Sequence, residues 1–541
     1  MKIRYAIAIL GVLVLANVLV HHFILRWDLT EDMRYSISQA SKQLLTTLGQ
    51  PLEITILLDG ELNSSYEQLK KSTTEMVEEL GIYANKGITI QSANIEEAAS
   101  TYRLESRIIH ERTHKGQMMQ MTIYPYAIVK YGKKHRIVEL TDQQDISSKE
   151  SLSRCIENLE YGFIEAIRSL TQTKVEKIAF LEGHGELHER YVYDLTQELA
   201  KYYQIDRGVL GKETGVLDEY KVVIIANPKE AFSDEDKYIL DQYLMQGGRI
   251  LWVVDGVRFS DDYLSSQGKT PIIALDLNIN DMLFQYGVRI KHALVQDLQC
   301  LPMLVDVSMN EAHPNWQPMP WTYAPLLLTS QLSPITRGVT QVSATLASAI
   351  DIVGGNDGIK KDTLLITSNT SKLTGVPAEI DLSFGIENEQ SFRYANIPVA
   401  VSLEGEFKSL YSHLMPPEKI YQHAPQVKKS KRTRQVVVSA GSTIRNEWHQ
   451  GYPLPLGFDR NTGMQFGNRD FMVNAVLYLA SNDSWMDLRN KAIKLRLLND
   501  IRAREGRGRA QMLSIVVPLT ILVLTGITMI LLRRKKYIQK S

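Results

Sequence analysis

"YKVVIIANPKEAFSDEDKYILDQYLMQGGRILWVVDG", residues 220–256, decides the fold class. Its ends, "YKVVIIANPKE" and "RILWVVDG", are near-continuous apolar runs bounded by polar turn residues. Runs of that kind read as strands buried on both faces. The segment between them predicts a helix. Ser233 is its N-cap, acids fill its first turn, and Gly247-Gly248 stop it. Strand, helix, strand in this order predicts a parallel pair with a crossover.

Upstream, "KIAFLEGHGE" reads as a strand ending in a glycine turn, and "YVYDLTQELAKYY" as the helix after it. The alternation therefore extends, and it predicts a doubly wound, mostly parallel sheet. Ligands of such sheets sit outside the carboxyl ends of the strands. Three strand ends here carry polar loops, which nominates His184, Glu186, Asn227 and Asp255 as a ligand or partner cleft. The same residue types are also what tight turns require, and that plainer reading stands beside the functional one.

Further downstream the pattern weakens from about 260 to 430. "LNINDMLFQYGVRI" reads as a helix and a strand, and "NWQPMPWTYAPLLL" as a Pro- and Trp-rich loop. "VKKSKRTR" is a basic run that could touch phosphate or anionic lipid, although a solvated loop is the plainer reading. "QVVVSAGS" is a late strand, and "GNRDFMVNAVLYLAS" a late helix able to close the sheet. On the other side, "PLEITILLDGEL", a following amphipathic helix, "ITIQSANI" and the hairpin "MTIYPYAIVKYGKKHRIVEL" predict a small α/β unit of thioredoxin-like order, without redox cysteines. "SKESLSRCIENLEYGFIEAIRSL" reads as a helix bridging to the second unit.

The chain has 541 residues, 44% hydrophobic and 23% charged, with formal net charge +0. That length suggests roughly two to four domains, and the balance of charge gives no pointer to nucleic acid. The charge is uneven only at the ends. Tyr5 to Leu25 is an apolar run preceded by Lys2 and Arg4, with no clear cleavage site or lipobox cysteine after it. Met512 to Leu532 is uncharged and ends in Arg533, Arg534, Lys535 and Lys536, a cytoplasmic flank for a transmembrane helix. The reading is thus a 1–27 anchor, a 28–146 small α/β domain, a 147–173 bridging helix and a 174–482 α/β domain with a less regular insertion. A 483–511 helical stalk, a 512–532 transmembrane helix and a 533–541 basic tail follow.

Catalytic motifs are sparse. No G-x-x-x-x-G-K-[ST] occurs, which excludes a P-loop ATPase, and no G-x-S-x-G elbow occurs. Cys155 and Cys300 form no C-x-x-C; a single disulfide and two unpaired thiols are both open, the second being plainer. His184 and His188 lack the H-E-x-x-H order of a zincin. We expect no catalytic residues, no metal and no cofactor, with an anchored hydrolase using His184, Glu186 and Asp255 as an alternative.

"RWDLTEDMRYSIS" after the first apolar run, "FLEGHGE", the 220–256 stretch and "PLPLGFDRNTGMQFGNRDFMVNAVLYLA" together resemble the GldG-type gliding-motility-associated ABC transporter components of Bacteroidetes. The resemblance covers nearly the whole chain. It implies a non-catalytic inner-membrane auxiliary subunit, often labelled substrate-binding, that works with a separate ATPase and a permease. Both termini would be cytoplasmic and the large soluble region periplasmic. A scaffold of an envelope motility or secretion machine is the alternative, and the cargo is not implied. One departure concerns the loop after the late strand, where acids are expected: "SAGSTIRNEW" has none before Glu447.

Overall fold

The computed structural model describes residues 37–481, apart from 61, 113–117, 142–148, 172–174, 307–314, 331, 355–357, 382–388 and 422–424. It also describes 512, 514, 516 and 518–531. The chain divides into two compact units, Ser36–Ala492 and a second made of Met1–Tyr35 with Ile493–Ser541. The expected N-terminal anchor, the stalk and the basic tail at Arg533, Arg534, Lys535 and Lys536 lie outside the described residues. Residues 518–531 are helical, and among the described residues no helix is long and apolar enough to cross a membrane.

The first part of the larger unit begins with α1 (Gln39–Thr46). β1 (Leu52–Ile56), α2 (Ser64–Tyr83), β2 (Ile88–Gln91) and α3 (Ile95–Tyr102) follow. A separate hairpin of β3 (Arg107–Arg112) and β4 (Met118–Ile123) precedes β5 (Tyr126–Tyr131), β6 (Lys134–Glu139) and α4 (Lys149–Thr171). The sheet order is β2-β1-β5-β6, with β1 parallel to β2 and antiparallel to β5. Asn63 caps α2 by accepting from the Tyr66 N–H. The helix expected to bridge two domains packs into this core through Leu159, Phe163, Ile164 and Ile167. Its Glu160 accepts from the Ser41 hydroxyl at 2.7 Å and the Ser38 N–H at 2.6 Å. An apolar stripe of that width has to be covered, and the nearest cover is the sheet the helix follows.

The second part is built on β7 (Lys177–Glu182), α5 (Tyr193–Ala200), β8 (Gln204–Val209), β9 (Tyr220–Ala226), α6 (Asp234–Met245) and β10 (Ile250–Val253). The insertion contains β11 (Val257–Arg258), α7 (Asp261–Gln267), β12 (Lys269–Ala274), α8 (Asn280–Tyr286), β13 (Val288–Asp297) and β14 (Cys300–Asp306). It continues with β15 (Trp316–Thr329), β16 (Val342–Ser343), β17 (Ser348–Ile352), β18 (Lys360–Ile366), β19 (Ser371–Gly375), β20 (Ala378–Asp381) and β21 (Pro398–Gly405). β22 (Thr433–Val438) and, after two short hairpins, α9 (Asn468–Ala480) complete it.

The main sheet runs β14-β15-β18-β21-β22-β10-β9-β7-β8, with β16 pairing β15. From β22 to β8 every pairing is parallel; from β22 to β14 every pairing is antiparallel. The chain is therefore mixed α/β, but the sheet is not mostly parallel, because the insertion extends it with five strands of its own, β16 included. Two smaller sheets, β11-β12-β20 and β17-β13-β19, also come from the insertion. The Pro- and Trp-rich stretch expected to be a loop is β15. From Trp316 to Pro320 it pairs with β14 alone, and a one-sided ribbon tolerates prolines that lack a donor.

Alternation along the parallel strands explains their sequence. Val222, Ile224, Leu251, Val253, Val436 and Val438 enter one core, beneath α5 and α9. Val223, Ile225, Ile250, Trp252 and Val437 enter the other, beneath α6 and α8. Strands with cover on both sides are apolar at most positions. Trp252 is completely buried and donates its Nε1–H to Gln435 at 2.9 Å. At the last turn of α9, Arg249 donates to the carbonyls of Leu479 and Ser481, and Arg434 to those of Tyr478 and Ser481. These guanidinium groups satisfy carbonyls that a helix end leaves unpaired.

Gly256 follows β10 where a side chain has no room. A Cβ there would lie 2.4 Å from the Lys291 carbonyl oxygen and 2.7 Å from Ser348 Oγ. Gly256→Ala should therefore cost about 3 kcal/mol by overpacking. Denaturant unfolding checks this, and an unchanged midpoint would refute the close approach.

Candidate functional site

Parallel strands present their carboxyl ends at one edge, so the loops after β7, β9, β10 and β22 gather there. The loop after β7 turns on Gly183 (φ 112°) and Gly185 (φ 72°), left-handed conformations that a glycine adopts without a Cβ penalty. This turn brings His184 back over the sheet. The His184 carbonyl accepts from the N–H groups of Lys229 and Glu230, both at 2.8 Å, and the Leu187 N–H donates to Ala226. The loop is thereby bonded to the end of β9.

The His184 ring is 7% exposed and stacks on Phe232, with centroids 3.7 Å apart. Its Nδ1 donates to Glu186 Oε1 at 3.0 Å, and its Nε2 to Asp236 Oδ2 at 3.2 Å. The second oxygen of Glu186 accepts from the His184 backbone N–H at 2.7 Å. Burial works against charge on this ring, but hydrogen bonds to Asp236 and Glu186 overcome it and raise the pKa to about 9. Burial likewise pushes Asp236 up, yet its bonds to His184 and Ser233 leave it below the usual carboxylate range. Asp236 stands in the first turn of α6, where Ser233 caps the helix as expected and also donates its hydroxyl to Asp236 at 2.6 Å. At neutral pH the ring is an imidazolium between two carboxylates, with no lone pair to accept a proton.

Asn227 and Asp255 form a second cluster beside the first. Asn227 takes a left-handed conformation (φ 55°), which Asn tolerates, and is buried. Asp255 is also buried. Its Oδ1 accepts from the Gly441 N–H at 2.6 Å, and its Oδ2 from Lys229 Nζ at 2.7 Å. Lys229 Nζ also donates to Asn227 Oδ1 at 3.1 Å. Lys229 thus joins the clusters, its backbone bonded to His184 and its ammonium to Asp255. The structure brings all four nominated residues to the same edge, and each one is engaged by its neighbours. Among the described residues, no group of three or more His, Cys, Asp or Glu could hold a metal ion. Cys155 and Cys300 are not joined in a disulfide, and burial pushes Cys300 up to about 11, so it is a poor nucleophile at neutral pH.

Sequence reading missed Lys229, Phe232 and Asp236. Asp236 carries the signal of a helix first-turn acid, and nothing local announces a second partner 52 residues away. It also missed a patch on the neighbouring loops. The Arg190 guanidinium lies 4.7 Å over Tyr191 and 5.7 Å over Trp448, and Arg445 lies 4.7 Å over Tyr191. Trp448 Nε1 donates to the Arg190 carbonyl at 2.7 Å, and the Asn446 N–H to that of Tyr191 at 2.8 Å. The loop after β22, which lacks early acids, thus contributes arginine and aromatic side chains instead.

The model of a family described as an ABC-type uncharacterized transport system matches residues 176–475, more than half of the chain. The chain belongs to this family. Membership places it among transporter-associated auxiliary proteins. A second model, of a domain of unknown function, matches residues 31–130. No curated protein matches the chain. Among solved structures, the mmIFT52 N-terminal domain is 16% identical with a TM-score of 0.32, covering 57% of this chain and 98% of that one. The exo-beta-1,4-mannosidase Op5Man5 from Opitutaceae bacterium strain TAV5 is 11% identical with a TM-score of 0.20, covering 76% and 51%.

The His184 cluster makes stability depend on pH. A histidine raised in the fold stabilises fully below its unfolded pKa, near 6.5, and loses that contribution as pH rises through about 9. Unfolding free energy should fall by about 2 kcal/mol across that window. In His184→Gln that fall should disappear when denaturation is followed from pH 6 to 10. An equally steep decline in the variant would remove His184 as its cause.

Proposed function

We propose that this chain is a membrane-anchored, non-catalytic auxiliary subunit of a GldG-type ABC transporter complex, associated with gliding motility. It would work beside a separate ATPase subunit and a permease subunit. The observation that carries this reading is family membership across the second part of the chain. The carboxyl edge supports it, because His184, Glu186, Asn227 and Asp255 are spent on holding loops together. A hydrolytic mechanism would need a free base, and His184 is charged on both sides. The order β2-β1-β5-β6 supports a thioredoxin-like first domain, and the cover on both faces of the parallel strands supports a doubly wound second one.

The two apolar terminal runs would anchor the chain in the inner membrane, with the basic tail cytoplasmic and the domains periplasmic. Contact with partner or cargo falls to the patch of Arg190, Tyr191, Arg445 and Trp448, since arginine, tyrosine and tryptophan dominate interface energetics. A scaffold without a ligand is the second reading. A ligand that raises the melting temperature of the protein would favour binding over scaffolding.

Affinity isolation of the full chain from its own membranes in mild detergent tests the reading. An ABC ATPase and a permease should co-purify, and their absence would sink the proposal. Arg190→Ala with Trp448→Ala should reduce their recovery about tenfold, at unchanged melting temperature. If His184→Ala with Glu186→Ala abolished function while folding stayed intact, the edge would have to be a ligand or reaction site after all.

A further inference from the structure

The basic run at residues 428–434 does not end in open solvent. It borders a groove of about 480 Å³ at the opposite edge of the main sheet from His184, where β21 ends and β22 begins. Lys360, Lys408, Lys429 and Arg432 line it, facing two carboxylates, Glu404 and Glu406. Lys429 pairs with Glu406, and Arg432 with Glu404 at 2.8 Å. Glu404 also pairs with Arg434 at 3.4 Å and accepts from the Tyr478 hydroxyl at 2.9 Å. The carboxylates are therefore already committed, and Lys360 is paired with Asp362, which leaves Lys408 as the lining cation without an ion pair among the described residues.

Two features make the excess of positive charge more than a solvated surface. Lys408 and Lys429 are directly opposite each other in an antiparallel bridge. Like charges in that position repel, because side chains of opposed residues share a face. Among the described residues, Lys408 also has no ion pair to offset that repulsion. Backbone bonds hold the arrangement. Ser409 donates to the Lys428 carbonyl, Ser430 to that of Phe407, and the Phe407 N–H to Ser430 Oγ at 2.7 Å. Two lysines thus stand opposite each other beside a groove that Arg432 also lines.

We propose that this groove is an anion site for a phosphate group, held between Lys408, Lys429 and Arg432 with Lys360 at its rim. A doubly charged oxyanion there relieves the repulsion between the two lysines. It accepts hydrogen bonds from both ammonium groups and from the planar guanidinium. The exposed Lys429–Glu406 pair is weak and yields readily to a multivalent anion. The phosphate can be that of a lipid headgroup or a free phosphate. Tyr478, which meets Glu404, lies in α9, after which the sequence runs on to the apolar segment beginning at Met512.

The site does not depend on the transporter assignment and is tested without partner subunits. Full-length protein in neutral detergent is titrated calorimetrically with inorganic phosphate, with short-chain phosphatidylglycerol below its micellar concentration, and with short-chain phosphatidylcholine. Saturable binding of phosphatidylglycerol but not phosphate assigns the groove to headgroups; binding of both assigns it to the phosphate group itself. In either case Lys408→Gln with Lys429→Gln and Arg432→Gln should weaken binding at least about tenfold. Lys70→Gln with Lys71→Gln on α2 should leave it unchanged. If the triple variant fails to fold, Lys408→Gln alone serves, because it breaks no ion pair. No saturable binding of either anion, or binding that the groove variants leave intact, overturns the proposal.

Discussion

Parallel strands β9, β10 and β22 have no solvent face. Each is covered on one side by α5 and α9 and on the other by α6 and α8, so each is apolar over most of its length, and the one polar side chain in the middle of β22, Gln435, is held by Trp252. Such strands place nearly all their polar residues at their ends. That constraint gathers the polar chemistry at the two edges of the sheet. At the carboxyl edge it becomes a set of mutually bonded loops. At the amino edge it becomes a basic groove and the guanidinium pair on the end of α9.

The two edges use charge differently. At the carboxyl edge, opposite charges are buried against each other, and Glu186, His184 and Asp236 form a continuous bonded row. A buried row of this kind fixes loop positions and leaves little capacity for a ligand. At the other edge the charges are exposed and imbalanced. Residues that look most catalytic in the sequence are thus the most structural, and a run that looks like ordinary solvated lysine borders the cavity.

How much of this was legible depended on how local its cause was. β7, β9, β10, α6 and β22 were readable because complete burial writes itself into a run of apolar residues, and Ser233 and Gly247-Gly248 mark α6 with caps. Most of the strands from β14 to β21 were not. Pro318, Pro320 and Pro325 disguise β15, and its partners lie far from it along the chain. Likewise, the polarity of the His184 loop was plain, but its meaning was not. Whether that histidine is a ligand or a rivet is decided by Asp236, which reaches it only because α6 begins beside the end of β7.

The clamp on α9 has a mechanical consequence. Beyond Ser481 the chain runs on toward Met512, so a pull from that direction first reaches the last turn of this helix. A bare helix end would unravel one turn at a time, since its final carbonyls hold nothing. Here Arg249 and Arg434 hold those carbonyls, and the two arginines stand beside or within β10 and β22 at the centre of the sheet. Tension on the helix is therefore handed through two guanidinium groups to β22 and the start of β10, which are bonded to neighbours on both sides. The fold carries load through its middle.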